Sequence, residues 1–404
     1  MKNRFFTAIF LLTLATTFVA TAQTVEEVND RVNGIDENVA TLLTDVSGLK
    51  KLKLSGYIQF NYENSEKAFG VSPYDATDTI NQRFRMRRTR LKATYNAGLT
   101  QYVLQADFSN AGFGLKDAYM KITDPWTKQF SLQAGVFNRP NYEVEYSSSV
   151  RESMERSSVI KACYADERDL GAMLIYSPKD LFTLQVAAFS NTFKGPYKQP
   201  QQISGDFPLY YMARITKELI LGDVGLDLGI HARIGSFGAN STQVIESDQP
   251  TKTTTFTTAA IGDPMSRTWF GGEFQLYYDF LGGMKLFGEY IMGSDINELS
   301  TTGGPIRQRD FNGYYIYLVK NIGSQWQFAA KYDAYDPNTA IADADIDNKS
   351  DLAVSTLGIG LHNYTFDKVR ISLWYDVNST QTHDVVMTED PADNLFTLRL
   401  QYKF

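Results

Sequence analysis

Arg83, Arg85, Arg87, Arg88, Arg90 and Lys92 crowd one short stretch of the chain. Guanidinium groups offer several donors in a fixed fork. A ladder of them on one wall therefore attracts anions and lowers the barrier to their entry, with phosphate and carboxylate oxygens as fitting acceptors. The same residues would also serve as a solvated basic wall paired with nearby acids. A second charged stretch runs from Asn138 to Glu167 and mixes Arg139, Glu143, Glu145, Arg151, Glu152, Glu155, Arg156 and Lys161. It is too long for a simple connection, and its charges suit a loop folded into a wide lumen. Opposite signs on one loop would build a transverse field across a passage rather than a filter of single sign. An external, solvated loop is the plainer alternative.

Signatures of catalysis are thin. His231, His362 and His383 are the only histidines and lie far apart in sequence; no Gly-x-Ser-x-Gly elbow or phosphate-cradling glycine loop is present. His231 falls on an inward phase and reads as a polar lumen residue. Asp343, Asp345, Asp347 and Asn348 begin like a calcium loop, but no glycine stands at the sixth position and Val354 stands at the twelfth. Cys163 is the only cysteine, so no intrachain disulfide can form. The expectation is a chain that is not an enzyme, with no cofactor and no metal.

These groups must be positioned by strands. In the last segment Phe396, Leu398, Leu400, Tyr402 and Phe404 alternate with Thr397, Arg399, Gln401 and Lys403, giving one apolar and one polar face. The first segment repeats the pattern, with Leu54, Gly56, Ile58, Phe60 and Tyr62 outward and Ser55, Tyr57, Gln59 and Asn61 inward. About sixteen such segments follow one another, an even number as single-chain bacterial barrels require. Short links such as 96–100, 124–128, 177–181, 219–225, 281–283, 321–325 and 364–368 carry Pro, Gly, Asn or Asp and read as periplasmic turns. Longer polar stretches between them read as external loops. A soluble β-sandwich would need a second sheet to cover so many apolar faces. If Leu91, Ala93 and Tyr95 face lipid, Arg88, Arg90 and Lys92 face the lumen. A cation on the lipid side at the midplane would cost about 2–4 kcal/mol. Arg83, Arg85 and Arg87 then lie above the bilayer or follow a bulge that re-aims them.

Residues 1–22 read as a secretory signal: Lys2 and Arg4, an apolar run from Phe5 to Ala20, and Ala20-Thr21-Ala22 before cleavage at Gln23. Its removal would leave 37 basic against 46 acidic residues, a net −9, which argues against a uniformly basic channel. Residues 23–52 follow with Val25, Val28, Val32, Ile35, Val39, Leu42, Val46 and Leu49 on one helical seam. This reads as a periplasmic, oligomerising coiled coil, or else as a single amphipathic tether. Residues 53–404 form the barrel, with a constricting loop at about 138–167. Tyr (24) and Phe (26) are abundant although mean hydropathy is only −0.28, as expected of aromatic girdles around a wet interior. The fold class is all-β: a 16-stranded antiparallel transmembrane β-barrel preceded by a short coiled-coil helix.

The stretch Phe84-Arg85-Met86-Arg87-Arg88-Thr89-Arg90-Leu91 leads to Asp107 and Leu115-Lys116-Asp117-Ala118-Tyr119. After these come Gly135-Val136-Phe137-Asn138-Arg139-Pro140, Glu143, Glu145, Ser147 to Ser149 and Glu155-Arg156-Ser157. Over roughly residues 54–177 this resembles the phosphate-selective porin O and P family, in particular its Bacteroidetes-type members. The resemblance implies a trimeric porin of sixteen strands whose third loop narrows the pore and whose basic side chains guide anions. Carried onto this chain, the guiding cations are Arg88, Arg90, Lys92, Arg139 and Arg156. The expectation is passive diffusion of small hydrophilic solutes across the bacterial outer membrane, with a weak anion preference. The partners would be outer-membrane lipid, lipopolysaccharide, small anionic or polar solutes and two further copies of the chain, with no nucleic acid. The alternative is an outer-membrane anchor with a coiled-coil spacer and ligand-engaging loops.

Overall fold

The computed structural model describes residues 48, 51–69, 80–109, 112–164, 167–190, 209–238, 243–245, 256–258, 260, 263–279, 282–298, 306–341, 343, 346, 348–384 and 386–404. The chain divides into two units, Met1–Leu52 and Lys53–Phe404. The signal sequence and nearly all of the coiled-coil segment lie outside the described residues, and so does most of the acidic stretch at 342–347.

The second unit is a closed antiparallel barrel of sixteen strands. They are β1 (Leu52–Ser65), β2 (Gln82–Ala97), β3 (Thr100–Ser109), β4 (Gly112–Thr123), β5 (Phe130–Asn138), β6 (Arg168–Tyr176), β7 (Thr183–Phe189) and β8 (Tyr210–Leu221). The circuit continues with β9 (Val224–Ile234), β10 (Thr268–Tyr278), β11 (Met284–Glu298), β12 (Ile306–Ile322), β13 (Trp326–Asp336), β14 (Val354–Asn363), β15 (Val369–Thr380) and β16 (Leu395–Lys403). Each strand pairs with its sequence neighbours. Closure comes from β1 against β16, with Ile58 opposite Tyr402, Phe60 opposite Leu400 and Asn61 opposite Arg399. Closure leaves no edge strand, the condition for a sheet to sit in lipid.

Period-2 alternation sorts the side chains as the sequence implies. Leu54, Ile58, Phe60, Leu398, Leu400, Tyr402 and Phe404 are exposed on the outside, while Gln59, Asn61, Arg399 and Gln401 are buried inside. Aromatic pairs gather beside the short turns. Tyr95 packs on Tyr102 at 6.4 Å between ring centroids, Phe130 stacks on Tyr176 at 4.4 Å and Tyr402 stacks on Phe404 at 6.0 Å. Such a belt is what an interfacial girdle requires. Among the described residues no helix is long and apolar enough to cross a membrane.

Two of the short turns show how local chemistry sets register. Gly98 takes φ +65°, a left-handed backbone open to glycine at no steric cost, and lets β2 reverse into β3. Between β4 and β5 the Asp124 carboxylate accepts backbone N–H bonds from Trp126 at 3.0 Å, Thr127 at 2.7 Å and Phe130 at 3.0 Å. Those bonds, that of Phe130 foremost, hold its carboxyl well below the usual range.

Two of the long links carry strand among their described residues. The stretch 294–310, expected as an external loop, is largely strand, since β11 runs to Glu298 and β12 starts at Ile306. Within 236–266 two short ladders form, Ser236–Gly238 against Pro264–Ser266 and Gln243–Ile245 against Phe256–Thr258.

Candidate functional site

The third loop, between β5 and β6, lies against the inner faces of strands from both sides of the barrel. It carries two short helices, α1 (Tyr142–Glu145) and α2 (Ser158–Cys163). Asn141 caps α1, its Oδ1 accepting from Val144 N at 3.1 Å, while its amide nitrogen donates to Glu289 Oε1 on β11. The first turn of α2 is capped from the wall, where Ser158 N donates to Asp333 Oδ1 on β13 at 2.9 Å. Three internal bonds knit the helices together. Arg156 donates to the carbonyls of Glu143 and, at 3.1 Å, Val144, and Ser157 N donates to the Glu143 carboxylate at 3.2 Å. Burial pushes the Glu143 carboxyl up, against the pull of Arg156 and Arg151.

On β7–β12 the loop meets an aromatic wall. Val144, Met154, Val159, Ile160, Cys163 and Tyr164 pack in one cluster with Phe189, Trp269, Phe287, Phe311, Tyr315 and Tyr317. Gly313 on β12 makes room for α2, since a Cβ there would come within 2.7 Å of the Val159 Cβ. Polar contacts finish the seat: Trp269 Nε1 donates to Tyr164 Oη at 3.1 Å, and Ser153 Oγ lies 2.8 Å from Tyr317 Oη.

Deeper on this side His231 Nε2 sits 2.6 Å from Glu289 Oε1, and Tyr315 Oη donates to Glu289 Oε2 at 2.7 Å. His231, Glu273 and Glu289 bring three potential metal ligands within 4.8 Å of one another. Their oxygens are already engaged, because Arg214 forks onto Glu273 and pairs with it at 2.6 Å, and Asn141 and Tyr315 bind Glu289. The group is satisfied as ion pairs and hydrogen bonds.

On β1, β2 and β16 the loop meets a polar wall. Gln59 Nε2 donates to the Ser148 carbonyl at 2.8 Å, Gln401 Nε2 to the Ser149 carbonyl at 2.9 Å and Arg399 Nη2 to the Met154 carbonyl at 3.2 Å. Arg87 forks onto Glu155 at 2.7 and 2.8 Å. Arg83 and Arg85 both reach Glu63, each at 2.9 Å from Nε. Consecutive residues Arg87 and Arg88 thus both turn inward, while Phe84 lies outside on Phe60 at 5.6 Å. The alternation slips by one residue within β2, as a β-bulge would make it do.

The five cations expected from sequence fall into different settings. Arg88 is buried and donates to Gln59 Oε1 at 3.2 Å. Arg90 pairs with Asp107 at 2.8 Å and its Nη1 reaches Ser148 Oγ at 3.4 Å. Lys92 is half-buried and borders a cavity. Arg139 lies 3.9 Å from Asp169 and above the Tyr210 ring. Arg156 pairs with Glu167 at 3.0 Å and staples α1. Arg370 on β15 and Arg399 on β16 also line the interior, as does Lys403 at the lower end of β16. Sequence reasoning passed over them because none belongs to a dense run of cations, although Arg399 lies on the polar phase of the last strand.

Among the described residues, two cavities border the loop. One, of about 220 Å³, is bordered by Arg90, Lys92, Arg156, Arg168 and Lys403 against Asp117 and Glu145. The other, of about 400 Å³, is bordered by Glu152, Asp223 and Asp279 against Lys285. Cations thus dominate one and acids the other.

The model of the family "phosphate-selective porin O and P" matches residues 58–404. The chain belongs to that family. It is a porin, an outer-membrane β-barrel. No curated protein matches it. Solved structures with the same fold include the outer membrane channel DcaP of Acinetobacter baumannii, 13% identical with a TM-score of 0.58, covering 87% of this chain and 97% of that one. OprB of Pseudomonas putida is 11% identical with a TM-score of 0.58, covering 89% and 96%. OmpT of Vibrio cholerae is 11% identical with a TM-score of 0.53, covering 87% and 97%.

Proposed function

We propose that this porin lets small hydrophilic solutes diffuse passively, with a weak preference for anions, and that it does no chemistry on them. The observation that carries the reading is the cation-bordered cavity beside the third loop. Arg90, Lys92 and Arg156 border it directly, and Arg88 and Arg139 extend the same positive field. The acid-bordered cavity across the loop supplies the opposite pole. A solute crossing between them meets a transverse field, which orients dipolar molecules and leaves net selectivity modest. The loop is the constriction in this reading, since sixteen strands otherwise enclose a wide aqueous lumen.

The working form is a homotrimer, as one solved form of OmpT of Vibrio cholerae is. Residues 1–22 address the chain for export and residues 23–52 join three copies in a periplasmic stalk, with lipid and lipopolysaccharide around the barrel. Reversal potentials in a KCl gradient across a planar bilayer test the reading. Wild-type protein should show mild anion preference, and Lys92→Glu should move the potential toward cations. Cation preference in the wild type would overturn the anion reading, and the lack of any steady open level would replace the porin reading with that of a plugged anchor.

A further inference from the structure

A trough runs along the lipid-facing side of β8, β9 and β10. Register sets its outward residues level with one another: Lys217 with Leu228 and Phe274, Ile215 with Ile230 and Gly272, and Ala213 with Ala232 and Phe270. Two apolar depressions on this face, of about 490 and 470 Å³, meet at Ile215, Ile230 and Gly272 and together form the trough. From Lys217 to Ala213 it runs about 13 Å along the strands, against the roughly 15 Å of hydrocarbon in one leaflet.

Gly272 makes the room. Its backbone is not left-handed, and a Cβ there would find its nearest neighbour, the Gly229 carbonyl oxygen, 4.0 Å away. One residue back the case is the reverse, because a Cβ on Gly271 would strike the His231 ring inside the barrel. Neither conformation nor internal crowding therefore calls for glycine at 272, although glycine weakens a strand interior. An outward glycine with no internal reason, between Ile230 and Tyr290, leaves space for a group that approaches from the lipid.

Lys217 closes one end of the trough. It shares the outward phase of Ala213 and Ile215, while Met212 and Arg214 are buried within. A cation on that face costs least at the membrane interface, and Lys217 reaches the short β6–β7 turn, where its Nζ donates to the Asp180 carbonyl at 2.9 Å. An ammonium has three donors, and among the described residues no carboxylate pairs with this one. The other end, at Phe270 and Met292, offers lipid no cation, since Arg214 there turns inward onto Glu273.

We propose that the trough seats one acyl chain of a glycerophospholipid of the periplasmic leaflet, with the lipid phosphate on Lys217. The phosphate supplies the anion that Lys217 lacks, and the chain fills the space over Gly272. Lipopolysaccharide lies in the opposite leaflet and would need its phosphates met at the Phe270 end. The proposal rests on the barrel's seat in a bilayer with its short turns toward the periplasm, and not on what crosses the pore.

Purified protein in nanodiscs tests it, with a trace of phosphatidylethanolamine carrying a photoactivatable acyl chain. Diacylglycerol with the same chain, lacking phosphate, is the comparison, and cross-linked peptides are read by mass spectrometry. In the wild type the adducts should concentrate on β8, β9 and β10 and should favour the phospholipid. Gly272→Leu, whose side chain enters open space, should cut labelling there about tenfold. Lys217→Gln should keep adducts in the trough but lose the preference for phospholipid over diacylglycerol. Ile359→Ala, at an outward position on β14, should label as the wild type does. Wild-type adducts spread evenly around the barrel would mark ordinary annular lipid and overturn the proposal, whether or not any variant folds. So would unchanged labelling of Gly272→Leu, or its dissociation from trimer to monomer, because the trough would then face another copy. A preference kept by Lys217→Gln would overturn the placing of the phosphate. Reversal potentials should match the wild type in both variants, so failure here leaves the reading of permeation intact.

Discussion

The third loop rests on two walls that hold it by different physics. On β7–β12 it is packed: Val159, Ile160 and Met154 sit among Trp269, Phe311, Tyr315 and Tyr317, with Gly313 cut away to admit α2. Burying an aliphatic side chain of that size contributes about 1.5–3 kcal/mol. On β1, β2 and β16 it is tethered instead, by amide and guanidinium donors from Gln59, Gln401 and Arg399 to three loop carbonyls. Each such bond nets about 0.5–1.5 kcal/mol once exchange with water is counted. The packed side therefore fixes where the loop lies, and the tethered side sets the charge it presents. A pore built this way can change its electrostatics on one wall without losing its constriction.

Ile160→Ala should break the comparison most visibly. Truncating a fully buried residue in the packed cluster leaves a cavity worth about 2–5 kcal/mol, enough to loosen α2 while the barrel stays closed. Single-channel conductance should rise and become noisier, and proteases should cut between residues 139 and 167. Gly313→Val should act in the same direction with less force, since overpacking costs about 1–3 kcal/mol and the new side chain meets Val159. On the opposite wall Gln401→Leu removes the donor to Ser149, which should lower loop stability by only about 1 kcal/mol, and the acceptor of Gln59 and Arg370 within the wall itself, with conductance close to that of the wild type. If Gln401→Leu freed the loop as fully as Ile160→Ala, the division between packing and tethering would be wrong.

Much of the barrel was legible because lipid and water impose opposite demands on alternate residues. Phe396 to Phe404 declares both faces, and the outward phases of the first and last strands are those seen. The packed wall was not legible. Phe189, Trp269, Phe287, Tyr315 and Tyr317 point inward, where a water-filled lumen asks for polar residues, and only the loop that covers them explains the exception. An aromatic residue on an inward phase looks the same in sequence whether it is solvated or roofed. In the candidate site Arg88 and Arg90 are buried and Lys92 borders a cavity, and the inward turn of Arg83, Arg85 and Arg87 depends on a slip within β2 that single-strand periodicity cannot locate. The partners of Arg139 and Arg156 arise from tertiary contact, with Arg156 spent largely on stapling α1.

Acid should have the smallest effect of all, and that sharpens the contrast. Burial acts to raise the Glu155 and Glu167 carboxyls, but Arg87 beside the first and Arg156 with Arg168 beside the second hold both well below the ordinary 4.5. A carboxyl lowered by folding contributes stability at every pH above its unfolded value and loses it only as pH falls through the depressed one. Glu143 works in the opposite sense: burial raises it, so protonation as pH falls relieves a cost. From about pH 8 down to about pH 5 the loop should therefore stay seated and conductance should not change. Recordings across that range check this directly. A conductance step within that range would mean that the loop is held by charge on its packed wall as well as by packing, and the division drawn between the two walls would fail.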